Sequence, residues 1–266
     1  LEAPGAWDAA NAAAESDWKL ANSSGVRILC VLDDEYPELL RATSDKPFFI
    51  YVLGALSHNP LQSVAVIGTR EPTEHGKVMG ERITGYLLNQ GWSIVSGLAI
   101  GCDSVAHQKA LAEGGHTVAV LAHGLHTIAP KQNEKLAERI VSSGGALITE
   151  SAFGVEPYGP QFVKRDRIQA GMSRGVILIQ SDVDGGSLHA SRAAVEYQRL
   201  LAVAVPTERD LAANESKIGA NRILAGNDGQ GKATLLKCDR LALKRLFLIR
   251  NKDDYPGLLD QLRRPL

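Results

Sequence analysis

Ser63-Val64-Ala65-Val66-Ile67-Gly68-Thr69-Arg70 is the stretch whose reading decides the fold of this 266-residue chain. A short, uncharged, β-branched and aliphatic run stops at a glycine, and residues 77–89 beyond it have helical spacing. That strand, turn, helix unit recurs. Further strands read at 92–95, 117–121, 146–149, 175–179 and 200–204, and further helices at 104–113, 131–142, 163–171 and 187–197. The strands are apolar on both faces, as parallel strands covered by helices on two sides must be. The fold class is therefore α/β: a Rossmann-like, doubly wound, mostly parallel sheet. Right-handed crossovers bring every strand-to-helix loop to one edge of such a sheet, together with the helix amino termini, and a ligand belongs there.

Working outward, residues 1–24 are Ala-rich and polar, an N-terminal helical or flexible segment. Residues 26–56 hold short apolar runs around Tyr36-Pro37-Glu38-Leu39-Leu40 and are expected to add a strand or two to the sheet. The main domain is bounded at 25–240. Residues 241–266 are expected to form a C-terminal tail, part of a small, mixed and charged appendage.

With 44% of residues apolar, the chain supports one sizeable core. Its three cysteines, Cys30, Cys102 and Cys238, are far apart and form no C-x-x-C pair, which argues against a disulfide framework or a thiolate zinc site and for a reducing cytoplasm. No apolar run approaches the roughly 20 residues of a membrane span. The start at Leu1 rather than Met reads as trimmed. The net charge of −1 supplies no global field for a polyanion, so binding of nucleic acid must rest on a local patch.

Five loops carry the chemistry. Gly68-Thr69-Arg70 combines close backbone approach, a hydroxyl and a bidentate guanidinium, a pattern suited to phosphate. The loop from Ser96 and Gly97 to Gly101, Cys102 and Asp103 can wrap amides around an anion, with Asp103 capping the helix that carries His107. After the third strand come His123-Gly124-Leu125-His126 and then Lys131 at a helix start. The two histidines lack a third ligand, so no metal is expected, and Lys131 is the phosphate candidate. Phe162-Val163-Lys164-Arg165-Asp166-Arg167 places three cations beside a ring on which a base can stack. Finally, Gly185-Gly186-Ser187 opens a helix with glycines and a hydroxyl, although Asp182 and Asp184 repel phosphate if they face the same way.

In order along the chain, these loops resemble the DNA processing protein A (DprA/Smf) family. The resemblance runs from Val26 to about Asp239. It rests on Asp34 through Leu40, Val66 through Arg70, Ser96 through Asp103 with Ala106-His107, and Phe162 through Ser173, then Gly186-Ser187-Leu188, Arg192, Ala194, Glu196 and Arg199, Val203 through Pro206 and Gly219 through Leu224. It implies a non-catalytic, cofactor-free homodimer that binds single-stranded DNA and assists a RecA-type recombinase in natural transformation or recombination. By the same resemblance Arg70, Lys131, Arg165 and Arg167 contact phosphates, Phe162 stacks or shapes the pocket, and Gly68, Ser96, Gly97, Gly186 and Ser187 supply donors. The chain departs from the family pattern at Asp166, Ala190 and Thr207. Asp166 either braces its neighbouring arginines or repels phosphate.

Two rivals use the same fold. A phosphoribohydrolase-like enzyme needs a Thr and a Glu in its Gly-rich loop, and Asp184 through Ser191 has neither. A nucleotide sensor asks for the same phosphate donors, and the ring and extra arginines merely favour a longer strand. A dinucleotide dehydrogenase is disfavoured because Gly68-Thr69-Arg70-Glu71-Pro72 is not G-x-G-x-x-G.

Overall fold

The computed structural model describes residues 5–266. The strands are β1 (Arg27–Cys30), β2 (Phe49–Gly54), β3 (Ser63–Ile67), β4 (Ser93–Ser96), β5 (Thr117–Val120), β6 (Ala146–Thr149), β7 (Gly175–Leu178), β8 (Leu200–Ala204) and β9 (Leu246–Ile249). They form one sheet in the order β1-β2-β6-β5-β4-β3-β7-β8-β9. From β6 across to β9 every pairing is parallel, and β1 and β2 add antiparallel to the β6 edge. Every residue of β3 to β8 is buried, which is why these strands read as unbroken apolar runs rather than alternating ones.

Helices cover both faces. Ile83 and Leu87 of α3 (Glu74–Asn89) and Ala106 and Ala110 of α4 (Cys102–Ala112) pack on one face. Ile168 and Ala170 of α6 (Gly159–Gly171) and Leu188, Ala190 and Ala194 of α7 (Ser187–Glu196) pack on the other. A smaller cluster is completed by Leu136 and Ile140 of α5 (Glu134–Ser142). Chain order runs outward from β3 through β4, β5 and β6 in one direction and through β7, β8 and β9 in the other. The winding therefore reverses between β3 and β7, and the crevice outside their carboxyl ends is where this topology places a ligand.

The core strands lie within a residue or so of their expected bounds. The starts of α3, α4 and α6 lie earlier than read, α7 starts at Ser187 as read, and the segment read from 131 opens with a 3-10 turn before α5. α3 begins at Glu74 because the Thr73 hydroxyl accepts the Gly76 amide at 3.1 Å, and α6 begins at Gly159 with Pro160 in its first turn. Upstream, α1 (Ala6–Ser23) is helical, and the first four residues of the segment 1–24 lie outside the described residues. The stretch 241–266, read as a tail, differs most. Its Leu246-Phe247-Leu248-Ile249 pairs with β8 as the ninth strand, and Leu258, Leu259 and Leu262 of α11 (Tyr255–Arg263) are buried against α3 and β8. Leucines four apart share a helix face, so this segment has an apolar stripe despite its charges. No helix among the described residues is long and apolar enough to cross a membrane.

Candidate functional site

A cavity of about 570 Å³ opens at the crevice, bounded by the loops after β3, β4 and β7 and by α6. Its geometry begins with glycines. A Cβ on Gly68 would stand 2.5 Å from Cys102 Sγ and 3.0 Å from the Gln180 carbonyl, so only glycine lets the first loop seat between α4 and the end of β7. That seating is hydrogen-bonded: the Thr69 amide donates to Gln180 O at 2.7 Å, and Thr69 O accepts from the Cys102 amide at 3.1 Å. Gly101 has φ of 85°, and a Cβ there would meet Thr69 O and Arg70 O at 2.5 Å, so the second loop closes on the first.

From this platform Arg70 extends, exposed, with its guanidinium carbon 5.7 Å from the Phe162 ring centroid. Arg165 stands 5.9 Å from the same centroid. The two arginines are not equivalent. Arg165 is buried, donating from Nη1 to Gly97 O at 2.6 Å and to Val120 O, and from Nε to Asp166 Oδ1 at 2.9 Å. A Cβ on Gly97 would lie 2.7 Å from that guanidinium, which explains the second loop's first glycine. Asp166 thus takes the bracing geometry, and its Oδ1 also accepts from Gln169 Nε2 at 3.0 Å.

A second carboxylate lies beneath the floor. Asp103 Oδ2 accepts from the amides of Gly97 at 3.2 Å and Ala99 at 3.3 Å, holding the loop rather than merely ending it. Burial pushes its carboxyl up to about 6, against the pull of Arg165 and with a further push from Asp166. Burial also raises Asp166, again opposed by Arg165.

The third wall is the amino terminus of α7. Ser187 Oγ donates to Ser181 Oγ at 2.8 Å, and Ser181 Oγ donates to Asp182 O at 2.9 Å. The Gly186 and Ser187 amides precede the first intrahelical donors, and among the described residues no acceptor takes them. A Cβ on Gly186 meets nothing within 4 Å, so this face is open, whereas Gly185 is packed on Ser181 Oγ.

Gly68, Thr69, Arg70, Phe162, Arg165, Gly185, Gly186 and Ser187 therefore line one cavity, with Gly97 and Gly101 shaping its floor. Other expected residues go elsewhere. Ser96 is buried with its hydroxyl on Val66 O at 2.7 Å. His107 is fully buried against Thr117 Oγ1 at 2.7 Å and is pulled down to about 3, by burial first and Arg165 second, so it is a neutral packing residue. Gly124 is buried beside Ala152 O, and exposed Lys131 is outside the cavity lining. Arg167 turns to the opposite side of α6 from Arg165, because residues two apart on a helix point away from each other. There it pairs with Glu150 at 2.7 Å and Asp45 at 3.2 Å, and Lys164 joins Glu150 at 3.6 Å.

The contacts of two further residues carried no local signal. Lys217 lines the cavity and pairs with Glu71 at 3.0 Å, a contact spanning most of the domain. Asn221, in α9 (Gly219–Ala225), donates from Nδ2 to Ile179 O and Ala204 O, both at 2.9 Å, and accepts the Ser181 amide at 2.8 Å. It ties the ends of β7 and β8 together and fixes the loop that carries Ser187.

The family model for DNA recombination-mediator protein A matches residues 27–235. The chain belongs to this family. Among relatives, Protein Smf of Synechocystis is 39% identical over 171 residues, covering 63% of this chain and 43% of that protein. The DNA processing protein DprA of Bacillus subtilis is 31% identical over 176 residues, covering 66% and 59%. The chain thus spans roughly two fifths to three fifths of the length of these relatives. The crystal structure of the Streptococcus pneumoniae family member superposes with a TM-score of 0.69 at 28% identity, covering 91% of this chain and 77% of that one. The Helicobacter pylori DNA processing protein A, a structure concerned with its single-stranded DNA binding mode, gives 0.69 at 26% identity, covering 88% and 96%. Family membership accounts for the loop motifs as one set.

Proposed function

We propose that the crevice between β3 and β7 binds single-stranded DNA without chemically altering it. The observation that carries this reading is Arg70 poised over the Phe162 ring, facing the open amides of Gly186 and Ser187 across one cavity. A guanidinium and a helix amino terminus both take a phosphate, and the ring offers a face to the adjoining base. Thr69 adds a hydroxyl. Support also comes from the Helicobacter pylori relative, whose single-stranded DNA binding is the subject of its structure. Arg165 serves here as a buried post that fixes Phe162 and the second loop, with Arg70 as the phosphate contact.

The test is a titration of labelled oligo-dT at low and high salt, beside a panel of mononucleotides with product analysis. Affinity for oligo-dT is expected to fall as salt rises, and Arg70→Ala to weaken it by at least about 1 kcal/mol. Salt-independent binding, or tight mononucleotide binding with none of oligo-dT, would overturn the assignment in favour of a nucleotide sensor, and mononucleotide cleavage would favour a phosphoribohydrolase. By the same family reading the protein acts in the cytoplasm as a homodimer and assists a RecA-type recombinase in transformation or recombination. Light scattering of the purified chain and recombinase-filament assembly on coated DNA test those two points.

A further inference from the structure

The opposite edge of the sheet carries a second concentration of positive charge that the crevice does not use. Arg174, Arg199 and Arg245 are each the residue immediately before a strand, and those strands, β7, β8 and β9, are adjacent and parallel. Gly175 pairs with Leu200, so Arg174 and Arg199 stand side by side, and Leu201 pairs with Leu246, so Arg245 stands on the next strand beside Leu200, one residue out of step with Arg199. Arg264, just beyond α11, closes the row, its carbonyl accepting Arg174 Nη2 at 2.7 Å. Each of the other two binds one backbone carbonyl: Arg199 Nη2 donates to Leu39 O and Arg245 Nη1 to Gln198 O, both at 2.9 Å.

Among the described residues, none of these four arginines has a carboxylate within 4.0 Å. The Nε atoms of Arg174 and Arg199 are buried without a partner, although Arg199 is only 4% exposed. Burial depresses the pKa of Arg199, and the nearby Arg174 and Arg245 depress it further. Uncompensated cations held together at a protein surface cost free energy unless an anion joins them. Beside Arg245 the same surface runs into a cleft of about 790 Å³ lined by Arg192, Lys237 and Lys244, with Glu196 its sole acid among the described residues.

We propose that this arginine row and the cleft beside it form a second anion site, which takes the sugar-phosphate backbone of a nucleic-acid strand. A linear ligand fits because the row runs across three adjacent strands, which lie about 4.8 Å apart, and continues into the cleft. Arginine favours phosphate through its paired donors. An isologous contact between two copies here would set cation against cation. The site shares no residue with the crevice and stands without that reading. The five-residue β8 separates the two edges by roughly 17 Å, so only a long strand reaches both.

The experiment compares short and long oligo-dT on the full chain, using the double variant Arg245→Gln/Arg264→Gln, its Arg→Lys counterpart, and Arg70→Ala. The Gln pair is expected to weaken long oligo-dT by at least about tenfold and to lower the salt slope by about 1.4, near 0.7 per lost phosphate contact. Short oligo-dT binding should be unchanged, and the Lys pair should restore the slope. Phenylglyoxal labelling of Arg264 should fall in the long-oligonucleotide complex, with or without Arg70→Ala. An unchanged slope with unprotected Arg264 overturns the proposal. So does a Gln pair that alters self-association by light scattering and leaves DNA binding intact, which would assign the surface to a contact between copies. Loss of binding in Arg70→Ala alone counts for the crevice and leaves the Gln-pair result to decide this site.

Discussion

Asp103 shows how a residue can be visible in a sequence while its role is not. Its position before a helix reads as a cap, yet its carboxylate faces back to the Gly97 and Ala99 amides and sits beside Arg165 and Asp166. Two buried acids share one buried guanidinium, so one charge is in excess, and Asp103 carries its consequence. Its folded pKa, about 6, exceeds the unfolded value of 3.8. Below about 3.8 both states hold the proton, and above about 6 neither does. In between, the folded chain keeps a proton that the unfolded chain has lost, so this group's contribution to stability falls as pH rises through that window. Asp103→Asn removes the titration while keeping an acceptor oxygen. Its stability relative to the parent, from urea denaturation, is therefore expected to improve between pH 4 and pH 7, by roughly 3 kcal/mol at most. A difference that stays flat across that range would mean that the carboxylate is already charged at pH 4.

At the scale of elements, the sheet was legible because burial on both faces forces the core strands to be mostly apolar runs, and a glycine directly follows β3 and β4. Arg70, Phe162 and Ser187 were legible for a related reason: Arg70 lies in a strand-to-helix loop and the other two in the first turn of the helix that follows such a loop, and the place of these segments at the carboxyl edge follows from topology. Arg167 and His107 misled because a motif fixes residue type and spacing, whereas helix phase decides which side chain reaches the cavity. Lys217 was silent because its partner, Glu71, is distant in sequence, and the tie of Asn221 to Ser181 was silent for the same reason although Asn221 lies within a stretch that carries the resemblance. Segment 241–266 was misread because charged residues flank two short apolar groups. Its packing gives a direct check. Leu258 is fully buried beneath β8 and α3. Leu258→Ala is expected to lower unfolding free energy by about 2–5 kcal/mol, as in other core truncations, and to do so in the same cooperative transition as the rest of the domain. A tail lying loosely on the surface would show almost no change in urea midpoint.

For the whole molecule, a net charge of −1 means that attraction for DNA depends on where charges lie rather than on how many there are. The crevice is not a basic pocket by count. Arg70, Arg165 and Lys217 face Glu71, Asp103, Asp166, Asp182 and Asp184. Arg165 is joined to Asp166 and Lys217 to Glu71, which leaves Arg70 as the lining cation without a carboxylate partner among the described residues. A short strand in the crevice should then show a shallow salt slope, about 0.7 for the one phosphate that Arg70 neutralises. Asp184 is exposed at the mouth beside the open α7 terminus and repels the same phosphate. Asp184→Asn is therefore expected to tighten short oligo-dT about two- to fivefold at low salt, with the gain fading as ionic strength shortens the reach of the repulsion. Fluorescence anisotropy at several salt concentrations reads both quantities in one series. Unchanged or weaker binding would place Asp184 outside the path of the strand, and the backbone would then cross the cavity on its Arg70 and Phe162 side alone.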